Sequence, residues 1–454
     1  MNMQTSEVPK QVSVPREVQA LLAALQINQP NTSLLQALSE EEWLSLLNFC
    51  DLSHLTLRLA TLPASGFPTW AVSRLETNIA DNFRRFERVK ATYAEARDAV
   101  DLAGVDHIVI KGFTQSPLYV QDPRLRSQSD IDLYCPAHMI KAAQLALQAI
   151  KYQPVSNLDY RNADHLPAMV RLGDWQWRGN PFDPEMPLSI ELHFCLWNKD
   201  VSLLAVPGVD AFWERRTTRT IDGVSFPCLN SIDHMGYFSL HILRNILSHE
   251  WVVNHVLELA TFLESKEEDD SFWTDWLTIH DAPLRQCEAI AFYYARAWFG
   301  CRIHQHAESQ IQSLPLAQRS FLNHFAGAAM ELMFTPNKDS FWLHLHLAPS
   351  VSARLTLLKR LFVPNRISPI GGPAVTIRNK RQIGSGHSHT FTQYLHYLAS
   401  RSASYFRLSF ITMVRGLRWR LDRHRFAREF WIFLVASFFL TWACRSTSFS
   451  SICS

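Results

Sequence analysis

The segment from His107 to Cys135, HIVIKGFTQSPLYVQDPRLRSQSDIDLYC, constrains the fold more than any other stretch of this chain. It opens on a compact β-branched run and closes on SDIDLYC. That alternation puts Asp130, Asp132 and Tyr134 on one face of a strand and Ile131, Leu133 and Cys135 on the other. A second alternating run, PLSIELHFCLW, sets Ser189, Glu191 and His193 against Ile190, Leu192 and Phe194. A strand with one apolar and one acidic face must cover the first, and a charge in mid-strand is costly unless it pairs or coordinates. A helical run, AHMIKAAQLALQAI, and a short strand in KYQPVS lie between the two. Strands interleaved with helices in this way make an α/β or α+β module of roughly 120 residues.

On both sides of this module the periodicity is helical. PREVQALLAALQ, SLLQALSEEEWLSLLNFC and LSHLTLRLATL repeat close to every 3.6 residues, and a long amphipathic segment from Trp70 to about Leu102 follows Pro68. Helix returns after residue 230 in SIDHMGYFSLHILRNILS, WVVNHVLELATFLES, SFWTDWLTIH and LRQCEAIAFYYARAWFG, with KEEDD at 266–270 as a loop or helix start. The Pro- and Gly-rich stretch 363–390 reads as a connection. A chain of 454 residues exceeds what one core usually supports. The reading is an N-terminal helical scaffold (1–104), the strand-bearing module (105–229), a helical domain (230–350), a basic helical or linker region (351–428) and an apolar tail (429–454).

An apolar content of 47 % excludes a disordered protein. The eight cysteines are scattered without a CxxC pair, which argues against zinc knuckles and a disulfide framework and for a reducing compartment. The first residues show no charged segment followed by an apolar one, so no signal peptide is expected and the cytoplasm is the expected location. The net charge of +2 hides an asymmetry: residues 354–428 hold fifteen Lys or Arg against Asp422 alone, whereas 1–353 hold 28 basic and 40 acidic residues. Such a segment meets something anionic or docks on the protein's own acidic body. The apolar run Phe430–Cys444 follows a series of arginines from Arg415 to Arg428. As a helix it spans only about 22 Å, short of a hydrocarbon core of about 30 Å. It reads as a buried terminal helix or, through 415–444, as a peripheral membrane contact.

The acidic faces carry the chemistry. Carboxylates at i and i+2 on a strand have Cα atoms about 6.5–7 Å apart and project to one side, so both converge on metal ions about 3.5–4 Å apart, as in-line phosphoryl displacement uses. Mg²⁺ favours such hard oxygen ligands, with Mn²⁺ as the substitute. Glu191 is the candidate third carboxylate. Gly112 suits close approach of backbone to a phosphate, Lys111 offers a point charge, Arg126 a planar fork and Ser129 a hydroxyl. His193 reads more readily as a packed, hydrogen-bonded histidine than as a base, and the His304/His306, His344/His346 and His387/His389 pairs lack a neighbouring acid or cysteine.

The run KGF…LY…DPRLRSQSDIDLY, followed about sixty residues on by IELHF, resembles the uncharacterised nucleotidyltransferase family of the DNA polymerase β superfamily. Gly112 matches the family's glycine, Asp130 and Asp132 its D-x-D pair, and Glu191 its third acid. Phe113 stands where a small residue is usual, and Glu258 where an aspartate is expected after a histidine-bearing helix (His241, His249). The resemblance implies an α+β fold: a small mixed sheet with helices, a polymerase β-like module embedded between helical regions. It also implies Mg²⁺-dependent transfer of a nucleoside monophosphate from a nucleoside triphosphate such as ATP to a hydroxyl. Asp130, Asp132 and Glu191 would hold metal, and Lys111, Gly112, Arg126 and Ser129 would hold the nucleotide. The acceptor, whether small molecule, protein or RNA, is not legible, nor is the oligomeric state. The competing reading is a non-catalytic nucleotide- or RNA-binding module that uses the basic C-terminal segment.

Overall fold

Strand–strand register, more than helix packing, determines what this protein brings together. A computed structural model describes residues 14–155, 164–171, 173–363 and 391–421, the last segment with side chains from residue 402 onward. The tail 429–454, Cys444, Cys453, His387, His389 and most of the connection 363–390 lie outside the described residues.

Seven strands among the described residues form one mixed sheet in the order β3-β4-β5-β2-β1-β7-β6. They are β1 (Ile108–Val109), β2 (Asp130–Tyr134), β3 (Gln153–Pro154), β4 (Met169–Val170), β5 (Ser189–His193), β6 (Thr217–Ile221) and β7 (Val224–Cys228). The two alternating runs are neighbours. β2 and β5 lie parallel with Asp130 opposite Ser189, Asp132 opposite Glu191 and Tyr134 opposite His193. β1 pairs antiparallel to β2 on its other side, which delivers Lys111 to the acidic face. The β6–β7 hairpin and β4 extend the sheet beyond what the periodicity predicts. The hairpin turns on Asp222 and Gly223, both at positive φ, with Ile221 paired to Val224.

Each face of the sheet has its own cover. Ile131, Leu133, Ile190 and Leu192 are fully buried in a core completed by the helix Thr69–Leu102 and the helix Ile140–Ala149. The long helix contributes Phe86, Val89, Tyr93, Ala96 and Val100, a three-four spacing that keeps one stripe on the sheet. Its earlier residues Ala71 and Leu75 belong to a second, larger core. That core joins the N-terminal helices to those after residue 230, so the two helical regions read separately from the sequence share one apolar interior.

Between its two apolar stripes the same helix carries a polar one. Asn82 Nδ2 donates to the carbonyls of Arg124 (2.5 Å) and Arg126 (3.2 Å). Arg85, 2 % exposed, donates from Nε to Gln128 O (2.8 Å) and from Nη1 to Asp183 O (3.1 Å) and Met186 O (2.9 Å). One helix thus fixes the loops that lead into both acidic strands.

The basic helix Phe391–Leu421 docks on the protein's own body through part of its charge. Arg415 lies 2.8 Å from Asp339, and Arg420 covers the Trp342 ring at 4.9 Å. Gly416 permits the contact, because a Cβ there would meet Trp342 Cε2 at 1.9 Å. Arg354, Lys359, Arg407 and Arg418 stay exposed. The six described cysteines are all free, and no described helix is long and apolar enough to cross a membrane.

Candidate active site

β2, β5 and the short segment after β1 converge on one carboxylate oxygen. Lys111 Nζ lies 2.6 Å from Asp132 Oδ1, and His193 Nε2 lies 2.9 Å from the same atom. His193 Nε2 is also 3.8 Å from Glu191 Oε2. Asp132, Glu191 and His193 therefore offer ligand atoms that all lie within 4.8 Å of one another, and no second such group occurs among the described residues. Asp132 and His193 are almost fully buried, whereas Glu191 keeps 22 % of its side chain exposed.

The charges do not balance. Burial and the neighbouring Asp132 and Asp130 push Glu191 up to about 8. Burial and then Asp132 raise Asp130. Burial alone would raise Asp132 too, but the Lys111 ammonium and the His193 hydrogen bond overcome it and hold that carboxyl well below its usual range. Burial opposes the charge on Lys111, and Asp132 more than restores it. Three carboxylates thus share one ammonium, while burial keeps His193 on the neutral side of its usual value. Oxygen donors with an excess of negative charge are what a hard divalent cation requires, so the residues present fit Mg²⁺. A neutral His193 that donates from Nε2 orients Asp132, the part an outer-shell histidine plays at metal centres.

The remaining predicted residues are placed as follows. Asp130 is half-buried and lies outside the three-ligand group, and Ser129 is exposed at the head of β2. Arg126 donates from Nε to Glu258 Oε1 at 2.9 Å, so its structural partner is Glu258 and not Asp130. Gly112 does occupy a position that needs glycine, with φ at +70°. The open side of that residue, expected to face a phosphate, is filled by Gln128, whose Nε2 would lie 2.2 Å from an added Cβ. Gln128 in turn donates to Asp130 O at 2.6 Å. After Gly112 the chain makes a single 3₁₀ turn, Gly112–Gln115, too short to carry a helix dipole. Phe113, where a small residue is usual, points away from the site. Its ring packs edge-on against Phe226 (4.8 Å between centroids) and Tyr93 (5.4 Å).

A second pair stands beside the cluster and escaped sequence reasoning. Asp164 Oδ2 lies 3.9 Å from His193 Nδ1 and is held by Arg244, while Arg244 Nη2 lies 3.0 Å from His241 Nδ1. No local motif marks either residue, since eighty positions separate them. The dismissed histidine pairs have ordinary partners: His304 Nε2 contacts Asp270 Oδ1 at 2.8 Å and His344 Nε2 contacts Ser202 O at 2.5 Å.

The mixed sheet presents acids from two parallel neighbours, backed by a lysine and a histidine, in a cluster that could hold a metal ion. Residues 39–300 match the model of the family described as uncharacterised nucleotidyltransferase. The match covers more than half of the chain, and the chain belongs to that family. At this level it is a transferase of nucleotidyl groups. No curated protein and no solved structure matches it.

Proposed function

We propose that this protein transfers a nucleoside monophosphate from a nucleoside triphosphate to a hydroxyl of an acceptor. The observation that carries the reading is the in-register pair Asp132 and Glu191, gathered with His193 around a site with more carboxylates than cations. Asp130, Asp132 and Glu191 are the residues to hold Mg²⁺, which supplies positive charge where the triphosphate's oxygens must be neutralised. The acceptor oxygen bonds to the α-phosphorus while the bond from that phosphorus to the bridging oxygen breaks, and pyrophosphate leaves with the bridging oxygen. The acceptor's proton passes to Glu191 Oε2, whose side chain is more exposed than that of Asp132. Lys111 keeps Asp132 ionised, and His193 fixes its rotamer. Arg126 and Ser129 flank the head of β2, where the triphosphate's outer phosphates would lie.

The test is incubation of the pure protein with labelled triphosphates, Mg²⁺ and a cell extract, following both pyrophosphate and the label. Label transfer that persists in Asp132→Asn would overturn the assignment.

A further inference from the structure

A cavity lined by both charged and apolar side chains lies beside the carboxylate cluster, past the end of β5. It has a volume of about 770 Å³, within the range of small-molecule sites. Asp164 and Arg244 form the wall nearest the cluster, and Trp197 adds an aromatic surface. The facing wall is built by Lys338, Arg360 and Tyr405, all beyond the family match that ends at residue 300.

The charges on that wall are unusual. Arg244 is neutralised by Asp164. Lys338 and Arg360 make no ion pair among the described residues. The Lys338 ammonium donates to Leu361 O (3.1 Å) and Ser409 Oγ (2.9 Å) and sits over the Tyr405 ring, although the side chain is only 8 % exposed. Arg360 donates from Nη1 to Val201 O at 2.9 Å, and its buried Nε has no partner. Burial drives Lys338 down to about 8 and lowers Arg360, while the acids lining the cavity, Asp164 and Glu250, lie against Arg244. Two desolvated cations without counter-ions stand ready for an anion.

The location says which anion. Lys111 and Ser129 lie toward the start of β2, whereas Asp164 accepts a hydrogen bond from Phe194 N just past the end of β5. Asp132, Glu191 and His193 lie between. In-line displacement places the attacking oxygen and the leaving pyrophosphate on opposite sides of the α-phosphorus. With the triphosphate's tail at the start of β2, the attacking group arrives from the end of β5, where the cavity is.

Resting on the transferase reading, we propose that this cavity is the acceptor site and that the acceptor is a small anion, a phosphate monoester or carboxylate bearing a hydroxyl, held by Lys338 and Arg360. Specificity then resides in the segment outside the family match, while the chemistry resides within it.

The full-length protein is titrated with glycerol 3-phosphate, with glycerate and with uncharged glycerol at matched ionic strength, and separately with Mg·ATP, reading thermal unfolding. Saturable stabilisation by glycerol 3-phosphate or glycerate, with none by glycerol, supports the proposal, and the better of the two identifies the anionic group. Arg360→Gln and Lys338→Gln should each weaken that anion roughly ten-fold, the effect of one hydrogen bond to a charged group, while stabilisation by Mg·ATP persists. Arg360 is half-buried on a helix surface, so its variant remains readable even if Lys338→Gln fails to fold. Equal response to glycerol and its anionic relatives, or unchanged anion binding in Arg360→Gln, overturns the proposal. Loss of Mg·ATP stabilisation together with anion binding in these variants also overturns it, by assigning the cavity to the nucleotide. Anion binding in a wild-type chain that shows no response to Mg·ATP sinks the transferase reading itself, and the acceptor role with it.

Discussion

Two buried clusters in this protein use nearly the same residues to opposite effect. In the first, Asp132, Glu191 and Asp130 outnumber the cations beside them, Lys111 being the one ammonium, and the shortfall raises Glu191 and Asp130. In the second, at the start of the helix Ser231–Leu247, Asp233 and Glu288 share His280, and Asp233 also pairs with Arg215. Arg215 grips Asp233 with two bonds of 2.8 and 2.7 Å, and His280 bridges Asp233 (3.1 Å) and Glu288 (2.7 Å). Asn230 adds a second bond to Asp233 Oδ2, and Trp276 donates to Glu288 Oε2, at 2.7 Å each. Burial lowers His280, but Glu288 and Asp233 lift it to about 9, so two cations meet two anions. The second cluster is complete and holds helices together. The first is incomplete, and its deficit has the sign of a metal ion. On the transferase reading, charge balance separates the structural cluster from the candidate site where residue types alone do not.

That contrast can be broken from either side. Glu288→Ala should cause the largest effect, about 3–5 kcal/mol of lost stability in urea unfolding, because it strips His280 and Trp276 of their partner. A loss below 1 kcal/mol would mean that the second cluster is not structural. Asp132→Asn should do the reverse, lowering nucleotidyl transfer on the order of 10²–10³-fold while the unfolding midpoint stays within a few degrees. Collapse of the fold in that variant would erase the distinction between the clusters.

Their pH responses differ as well. His280 is raised in the folded state, so its contribution is fully present below its unfolded value near 6.5 and is lost as pH climbs through about 9. Chemical denaturation between pH 6.5 and 9.5 should show a decline on the order of 2–3 kcal/mol, and the decline should vanish in His280→Gln. The smallest effect tests the deficit directly. Mg²⁺ at ten times its Kd should stabilise the wild-type chain by about 1.4 kcal/mol and leave Asp132→Asn unmoved. Equal stabilisation of both proteins would place the ion elsewhere.

Much of the first cluster was legible because strand alternation has parity. Once Asp130, Asp132 and Glu191 fall on the polar faces of two-sided strands, any pairing that buries Ile131, Leu133, Ile190 and Leu192 brings the acids to one surface. The stripe Phe86–Val100 on the long helix was legible for the corresponding reason at helical spacing. Asp164 and Arg244 were not, since their meeting depends on tertiary packing that no local period encodes. The polar stripe Asn82 and Arg85 was equally silent, because its partners are backbone carbonyls that exist in every sequence. His193 was underweighted as a packed histidine. It is packed and hydrogen-bonded as expected, but its partner is the central carboxylate. Gly112 and Phe113 show how a motif position reports backbone demand more faithfully than its reason. The glycine is required by Gln128, and the phenylalanine serves the core. The β6–β7 hairpin was there to be found, for Asp222-Gly223 between two β-rich runs is a strong turn signal.

The helix Thr69–Leu102 has a mechanical consequence. At about 1.5 Å per residue it is a rod some 50 Å long, seated at one end in the large helical core and at the other under the sheet. Near its middle it grips the lead-in loops of β2 and β5 together. Both acidic strands are thus slung from one beam. A tilt of that beam carries Asp132 and Glu191 as a pair, preserving the gap between them and altering only their standing relative to the helices opposite. The spacing between the two acidic strands thus rests on a single support.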